Sequence, residues 1–270
     1  MAVKWVDRVP TRANRVRIIP EDGSAPYYAV MERADEPSVV GTPVNAANLN
    51  AMQDAVGLTE NKTIYVATTG SNSTGDGSEA MPFATINHAL STIPKNLNGF
   101  TVTINIASGT YPQAATIRDF SNGAIRLSGV VGDTVTLGSV NVINTHYAEI
   151  SNILIHIEGG HLNVESSILR VNSDFSANGG RYGIHVAYSS GAAFSQTVTI
   201  TNTTAYAVVA TMASHIYVYK VQGSGNAVGF AGLHGGICCF GVNESTATTL
   251  YTVTAGGRIF SGSQPQVPSY

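Results

Sequence analysis

The sequence predicts an all-β chain: a right-handed parallel β-helix behind a short N-terminal attachment segment. Three observations carry this. Short strands with alternating apolar residues recur from Thr63 onward, separated by Gly, Asn or Ser. No window of helical period follows residue 94, so parallel strands joined by helical crossovers are not expected. Hairpin dipeptides are scarce; after Asp76-Gly77, Asn98-Gly99 and Asn122-Gly123 there is only Asn178-Gly179. That favours a solenoid, where each strand bends into the next and stacks on the coil below, over a sandwich or barrel. No sharp repeat period is visible, so irregular coils are expected.

The elements follow in order. Residues 1–41 mix charge, proline and short apolar stretches, with Arg15–Ile19 and Tyr27–Met31 as extended segments. This segment has too few apolar residues for a core of its own, which predicts that it folds by docking. In GTPVNAANLNAMQDAVGL, Thr42 and Pro43 open a short helix over 42–57 and Gly57 closes it. Leu49, Met52 and Val56 form an apolar stripe, suited to a small trimeric bundle or equally to packing on its own domain. The domain boundary is expected at 62/63. In the body, Val102, Ile104 and Ile106 share one face, as do Ile153, Ile155 and Ile157. Leu162 and Val164, Ile184 and Val186, Val198 and Ile200, and Ile216 and Val218 continue the pattern.

Composition narrows the function. Charged residues are 11% of the chain against 43% apolar, where ordinary domains carry about 25% charged. Residues 1–62 hold 7 Lys/Arg and 8 Asp/Glu, leaving 7 and 9 for the following 208 residues. A body surfaced with Ser, Thr, Asn and Gly suits extended β structure, or a surface partly buried against other copies. The net charge of −3 offers no basic field for nucleic acid. No apolar run is long enough to insert in a membrane as a helix, and the N-terminus does not read as a signal peptide. Cys238 and Cys239 are adjacent, where a mutual bridge is strained, and they fall short of a zinc cluster. They are expected as small buried hydrophobes of a chain made in a reducing cytoplasm.

Ile64–Tyr111 carries a more specific signal: IYVATTG, then GDGSEAMPFATINHAL, a spacer, and a strand ending in GTY. This order resembles the opening of the pectin-lyase-like right-handed β-helix family, which includes polysaccharide lyases and many phage tailspikes. Phe83 is expected to plug the end of the core. Thr85–Ser91 is expected to be a helix that covers the first coil through Ile86, Ala89 and Leu90, and Gly109–Tyr111 to turn the first strand outward. DRVPTRANRVRII with ADEPSVVGTPVNAANLNAM is similar to the leading segment of tail-fibre and baseplate-associated proteins. Together the resemblances cover residues 1–111. They imply a homotrimer on a virion tail or phage-like particle, joined to tail or baseplate proteins by its N-terminus and contacting a host cell-surface glycan.

The candidate sites are few. His156, Glu158, His161 and Glu165 are the densest polar group of the body and face outward on neighbouring strands, as an acid/base or metal constellation or as plain surface decoration. His215, Tyr217 and Tyr219 line one outer face, fitting sugar stacking or burial between subunits. Tyr182, Tyr188, Tyr206 and Phe194 are expected to add to it. The loop Ser71–Glu79, with Asn72, Asp76 and Glu79, offers oxygens of the kind calcium takes but lacks the acidic density of a dedicated site. No carboxylates pair at i, i+2. The expected function is therefore adhesion without cleavage; a depolymerase and a purely structural tail component are the alternatives.

Overall fold

The computed structural model describes residues 57–262, together with the backbone of three short strands outside that range. Contacts divide the chain into Met1–Val56 and Gly57–Tyr270, a boundary a few residues before the expected one. In the first unit, β1 (Arg15–Ile18) and β2 (Tyr27–Val30) pair antiparallel. The expected helix with Leu49, Met52 and Val56 lies outside the described residues.

The second unit is a parallel β-solenoid of about seven turns. β3 (Lys62–Val66) opens it. Each coil then lays one strand on each of three sheets. The first coil is β4 (Thr101–Ile106), β5 (Gly109–Tyr111) and β6 (Ala115–Arg118). The second is β7 (Ala124–Ser128), β8 (Thr134–Leu137) and β9 (Val140–Ile143). The third is β10 (Ala148–Ser151), β11 (Leu154–Glu158) and β12 (Leu162–Glu165). The fourth is β13 (Ile168–Val171), β14 (Phe175–Asn178) and β15 (Tyr182–Ala187). In the fifth, β16 (Gly191–Thr201) runs through two sheets and β17 (Tyr206–Thr211) makes the third. β18 (His215–Leu233) and β19 (Ile237–Thr254) are whole coils in single bent strands. β20 (Arg258–Ser261) stacks on the first sheet only, and β21 (Gln264–Gln266) pairs with it antiparallel.

The register shows a repeat that the sequence reading missed. Val102, Ile125, Ala148, Leu169, Ala192, Ile216, Cys238 and Ile259 stack in one column, with partners 21 to 24 residues apart. Beside it run Ile104, Leu127, Ile150, Val171, Phe194, Val218 and Phe240. All of these side chains are buried, so the core is a set of apolar columns along the axis. Ring pairs fill its later coils, Phe175 against Phe194 at 5.8 Å and Phe230 against Phe240 at 4.5 Å between centroids. Corners repeat as well. Thr145, Ser167, Ser190 and Ser214 form a buried ladder in which each serine hydroxyl accepts the N–H of the previous coil's member. Gly223 makes one corner of β18; a Cβ there would sit 1.9 Å from the Ile200 carbonyl oxygen.

The first coil is capped as its motif implied. α1 (Ile86–Ser91) starts at Thr85, whose hydroxyl accepts the His88 N–H at 3.2 Å, and it buries Ile86, Ala89 and Leu90. Phe83 is buried under it. Gly109–Tyr111 does not turn outward. It is the first strand of the second sheet, and Tyr111 points into the core while its hydroxyl donates to the Ala107 carbonyl at 2.9 Å. Among the described residues no helix is long and apolar enough to cross a membrane.

Candidate functional site

The outer face of the third sheet carries the most organised group of polar and aromatic side chains. Gly160 sets its edge. The corner there is so tight that a Cβ would lie 1.6 Å from the Gly138 carbonyl oxygen, and His161 follows directly at the start of β12. Alternation along β12 then turns Leu162 and Val164 inward and His161, Asn163 and Glu165 outward. One coil on, His185 stands beside Asn163 in register. The Asn163 amide donates to Glu165 Oε1 at 3.0 Å, and its Oδ1 faces His185 Nδ1 at 2.9 Å. Asn163 is only 6% exposed although it is on the outer face, so this chain of hydrogen bonds is shielded from competing water.

Rings cover the chain. Tyr182 stacks on His185 at 5.1 Å between centroids and on Tyr206 of the next coil at 6.0 Å with planes 7° apart. His161 meets the Tyr182 edge at 5.9 Å, and the Arg181 guanidinium lies 5.2 Å from that ring's centroid. Burial pushes the His161 imidazole below the ordinary histidine value, against a smaller upward pull from Glu165. Burial also lowers His185, helped by the neighbouring His161 and opposed by Glu165. A neutral His185 donating through Nδ1 to Asn163 leaves Nε2 with a free lone pair. The platform thus offers stacked ring surface, one carboxylate, one guanidinium and a neutral imidazole acceptor on three successive coils.

The expected constellation of four residues is divided. His156 and Glu158 belong to the second sheet, across the Gly159-Gly160 corner from His161 and Glu165. There His156 Nε2 meets Glu158 Oε2 at 3.1 Å and Nδ1 meets Ser176 Oγ at 2.8 Å, while Asn178 donates to Glu158 Oε1 at 2.9 Å. No hydrogen bond joins this network to Asn163, Glu165 or His185. Among the described residues no three His, Cys, Asp or Glu are placed to hold one metal ion.

On the first sheet, His215, Tyr217 and Tyr219 do line the outer face of β18, with Tyr217 47% and Tyr219 53% exposed. The residues expected to extend this ladder do not. Tyr182 and Tyr206 belong to the third-sheet platform, Tyr188 is exposed at the corner after β15, and Phe194 is in the core because its strand parity matches Ala192. Cys238 is buried, its thiol pushed up to about 12 by burial, which leaves it unreactive. Cys239 alternates outward beside Tyr217 and is only half-buried, which departs from the expected pair of buried hydrophobes.

In the loop near the cap, Asn72 is a staple. Its Oδ1 accepts the N–H groups of Ala84 and Thr85, and its Nδ2 donates to Thr85 Oγ1. Asp76 Oδ1 accepts the Ser78 N–H, and hydrogen bonds from Ser78 hold its carboxyl below the usual value.

Fold and outer faces together define a parallel β-solenoid with a half-buried aromatic and polar platform on its third sheet. No protein-family model matches the chain, and comparisons with curated proteins and with solved structures return no match. Sequence reasoning found His161 and Glu165 but not Asn163, His185 or Arg181 as their partners. The signal was the spacing of 22 residues between Asn163 and His185, one coil of the repeat.

Proposed function

We propose that this protein is a structural component of a virion tail, of the tail-fibre or tailspike type, that binds a host cell-surface glycan without cleaving it. The observation that carries the glycan reading is the platform of Tyr182, Tyr206, His161 and His185 over Asn163 and Glu165. A sugar presents an apolar ring face and a rim of hydroxyls. Rings held by their neighbours suit the first, and the hydrogen-bonded carboxylate and imidazole, with the exposed Arg181 guanidinium beside them, suit the second. Because the platform is already ordered by hydrogen bonds and stacking, little side-chain entropy is lost on binding. In this reading residues 1–62 attach to the tail or baseplate, and three copies associate through exposed first-sheet rings such as Tyr217 and Tyr219.

The test is adsorption of the purified chain to bacterial cells and to polysaccharide extracted from them. Saturable binding that Tyr182→Ala abolishes supports the reading; binding unchanged by that substitution removes the platform from it. A chain beginning at Asn61 should keep its β structure and fail to join particles.

Cleavage is the second reading. One observation favours it: a neutral His185 with a free Nε2 lies in the same cluster as Glu165, an arrangement suited to proton transfer. The platform has a single carboxylate, whereas common glycoside hydrolases use two. Release of reducing ends or unsaturated sugars, lost in Glu165→Gln, would establish it.

A further inference from the structure

Ser176 and His156 stand side by side on the outer face of the second sheet, and their contact has the form of an activated nucleophile. Register places Thr136, His156, Ser176, Thr199 and Gln222 in one outward column, one residue from each successive coil. Ser176 Oγ lies 2.8 Å from His156 Nδ1, and His156 Nε2 lies 3.1 Å from Glu158 Oε2. Glu158 reaches the ring because the two residues leave the same face of β11 two positions apart. Its other oxygen accepts the Asn178 amide at 2.9 Å. Asn178 Oδ1 in turn accepts from Thr201 and Asn202, both at 2.9 Å, so the carboxylate is oriented by a chain that extends to the next coil.

This network settles the proton positions. An ionised carboxylate only accepts, so the imidazole carries its proton on Nε2 and turns the Nδ1 lone pair to Ser176, whose hydroxyl donates to it. The order is hydroxyl, imidazole, carboxylate, with the base in reach of the nucleophile and oriented by a third group. The two ring nitrogens are used in the opposite sense to the common serine hydrolase arrangement. The roles survive the exchange, because either nitrogen can take a proton while the other donates. Among the described residues His156 is the one histidine hydrogen-bonded to a hydroxyl; at the platform, His185 Nδ1 meets an amide instead. The His156 side chain is 31% exposed and Ser176 is half-buried, so the hydroxyl is held yet reachable. Thr199 adds a donor. It is next to Ser176 in register, and its hydroxyl accepts the Gln222 amide at 3.0 Å, which leaves its own proton for the oxygen of a tetrahedral intermediate.

We propose that Ser176 and His156 are the nucleophile and base of a serine esterase site, with Thr199 as oxyanion donor and Glu158 and Asn178 as positioning residues. Ser176 Oγ bonds to the acyl carbon while its proton passes to His156 Nδ1. The intermediate collapses, the bond from the acyl carbon to the alcohol oxygen breaks, and the alcohol leaves with that proton. Water then attacks the acyl carbon and gives a proton to Nδ1. The bond to Ser176 breaks, Oγ takes the proton back, and the carboxylic acid departs. The column beside Ser176 contains no apolar side chain to wall a long acyl chain, and one hydroxyl is a modest oxyanion donor. The substrate class is therefore an ester with a short acyl group, not an amide. No glycosidic bond is broken, and the site does not depend on the glycan-binding platform.

The test treats the full-length chain with a fluorophosphonate, mapped by peptide mass spectrometry, and follows hydrolysis of p-nitrophenyl acetate and p-nitrophenyl octanoate. One adduct on Ser176 is expected, with saturable hydrolysis of the acetate and little of the octanoate. Ser176→Ala should abolish both the adduct and the saturable hydrolysis. His156→Gln should slow both about a hundredfold, the scale of a lost general base. Glu158→Gln should lower kcat about tenfold at unchanged KM, as loss of one hydrogen bond to a charged group does; a merely structural role would leave kcat as it is. Tyr182→Ala should leave every readout unchanged. The proposal is overturned if Ser176 in the parent chain takes no adduct, if hydrolysis persists in Ser176→Ala, or if His156→Gln is labelled as fast as the parent.

Discussion

Tyr182 and Tyr219 are both aromatic, both on outer faces and both on coils of similar length, yet they stand in different physical situations. Tyr182 has rings on three sides and a hydrogen-bonded polar chain beneath it. Tyr219, like Tyr217, has no ring among the described residues within stacking distance and is about half exposed. An immobilised ring over fixed polar groups is prepared to recognise a small, directional ligand. Free-standing rings on a nearly uncharged strand are better suited to burial against a broad, flat partner. Under the proposed function, ligand contact falls to the third sheet and subunit contact to the first, and each is open to test.

The largest expected effect is that of Tyr182→Ala. Losing the stacked contacts to Tyr206 and His185 should lower stability by roughly 1–3 kcal/mol, at about 0.5–1.5 kcal/mol per aromatic pair. Chemical denaturation measures this, and a change below about 0.5 kcal/mol would mean that the rings lie together without supporting one another.

A smaller effect should follow acidification. Burial lowers the proton affinity of His161 and His185 in the folded chain, so the unfolded chain takes up protons first. Their contribution is therefore fully present above about pH 6.5 and is lost as pH falls from that value through the lowered folded ones. The thermal midpoint should drop between pH 7.5 and 5.5, and His185→Gln should flatten the drop. An identical pH profile in the variant would show that His185 is not the group responsible.

How much of this was legible in the sequence depended on the range of the signal. Inward positions such as Ile155, Ile157, Leu162 and Val164 followed from alternation alone, since strand parity is local. The cap was legible for the same reason: Thr85 and the helix it starts lie within a few residues of each other. The repeat was not, because coil lengths vary between 21 and 24 residues and the stacked column includes Ala148, Ala192 and Cys238 as well as large aliphatics. Without the repeat, His185 could not be placed beside Asn163. Tyr182 and Tyr206 were assigned by proximity in sequence to Tyr217, although they lie on the third sheet and Tyr217 lies on the first. The ladder Thr145, Ser167, Ser190 and Ser214, at intervals of 22 to 24, held the period in a form that an apolar pattern search overlooks.

The smallest effect on the isolated chain should be that of Tyr217→Ala with Tyr219→Ala. Each exposed substitution should change the stability of a single chain by no more than about 0.5 kcal/mol. Light scattering should nevertheless report a fall from three copies to one of 28.2 kDa. A parent protein that already scatters as one copy at micromolar concentration would remove subunit contact from the first sheet.

The assignment of ligand contact is tested most directly by retention on immobilised cell-surface polysaccharide at pH 7.5, comparing the parent chain, Tyr182→Ala, and Tyr217→Ala with Tyr219→Ala. The platform reading predicts that Tyr182→Ala loses retention while the double variant, corrected for any loss of avidity on dissociation, keeps the affinity of a single site. Full retention by Tyr182→Ala together with loss in the double variant would contradict it and move the glycan site to the first sheet.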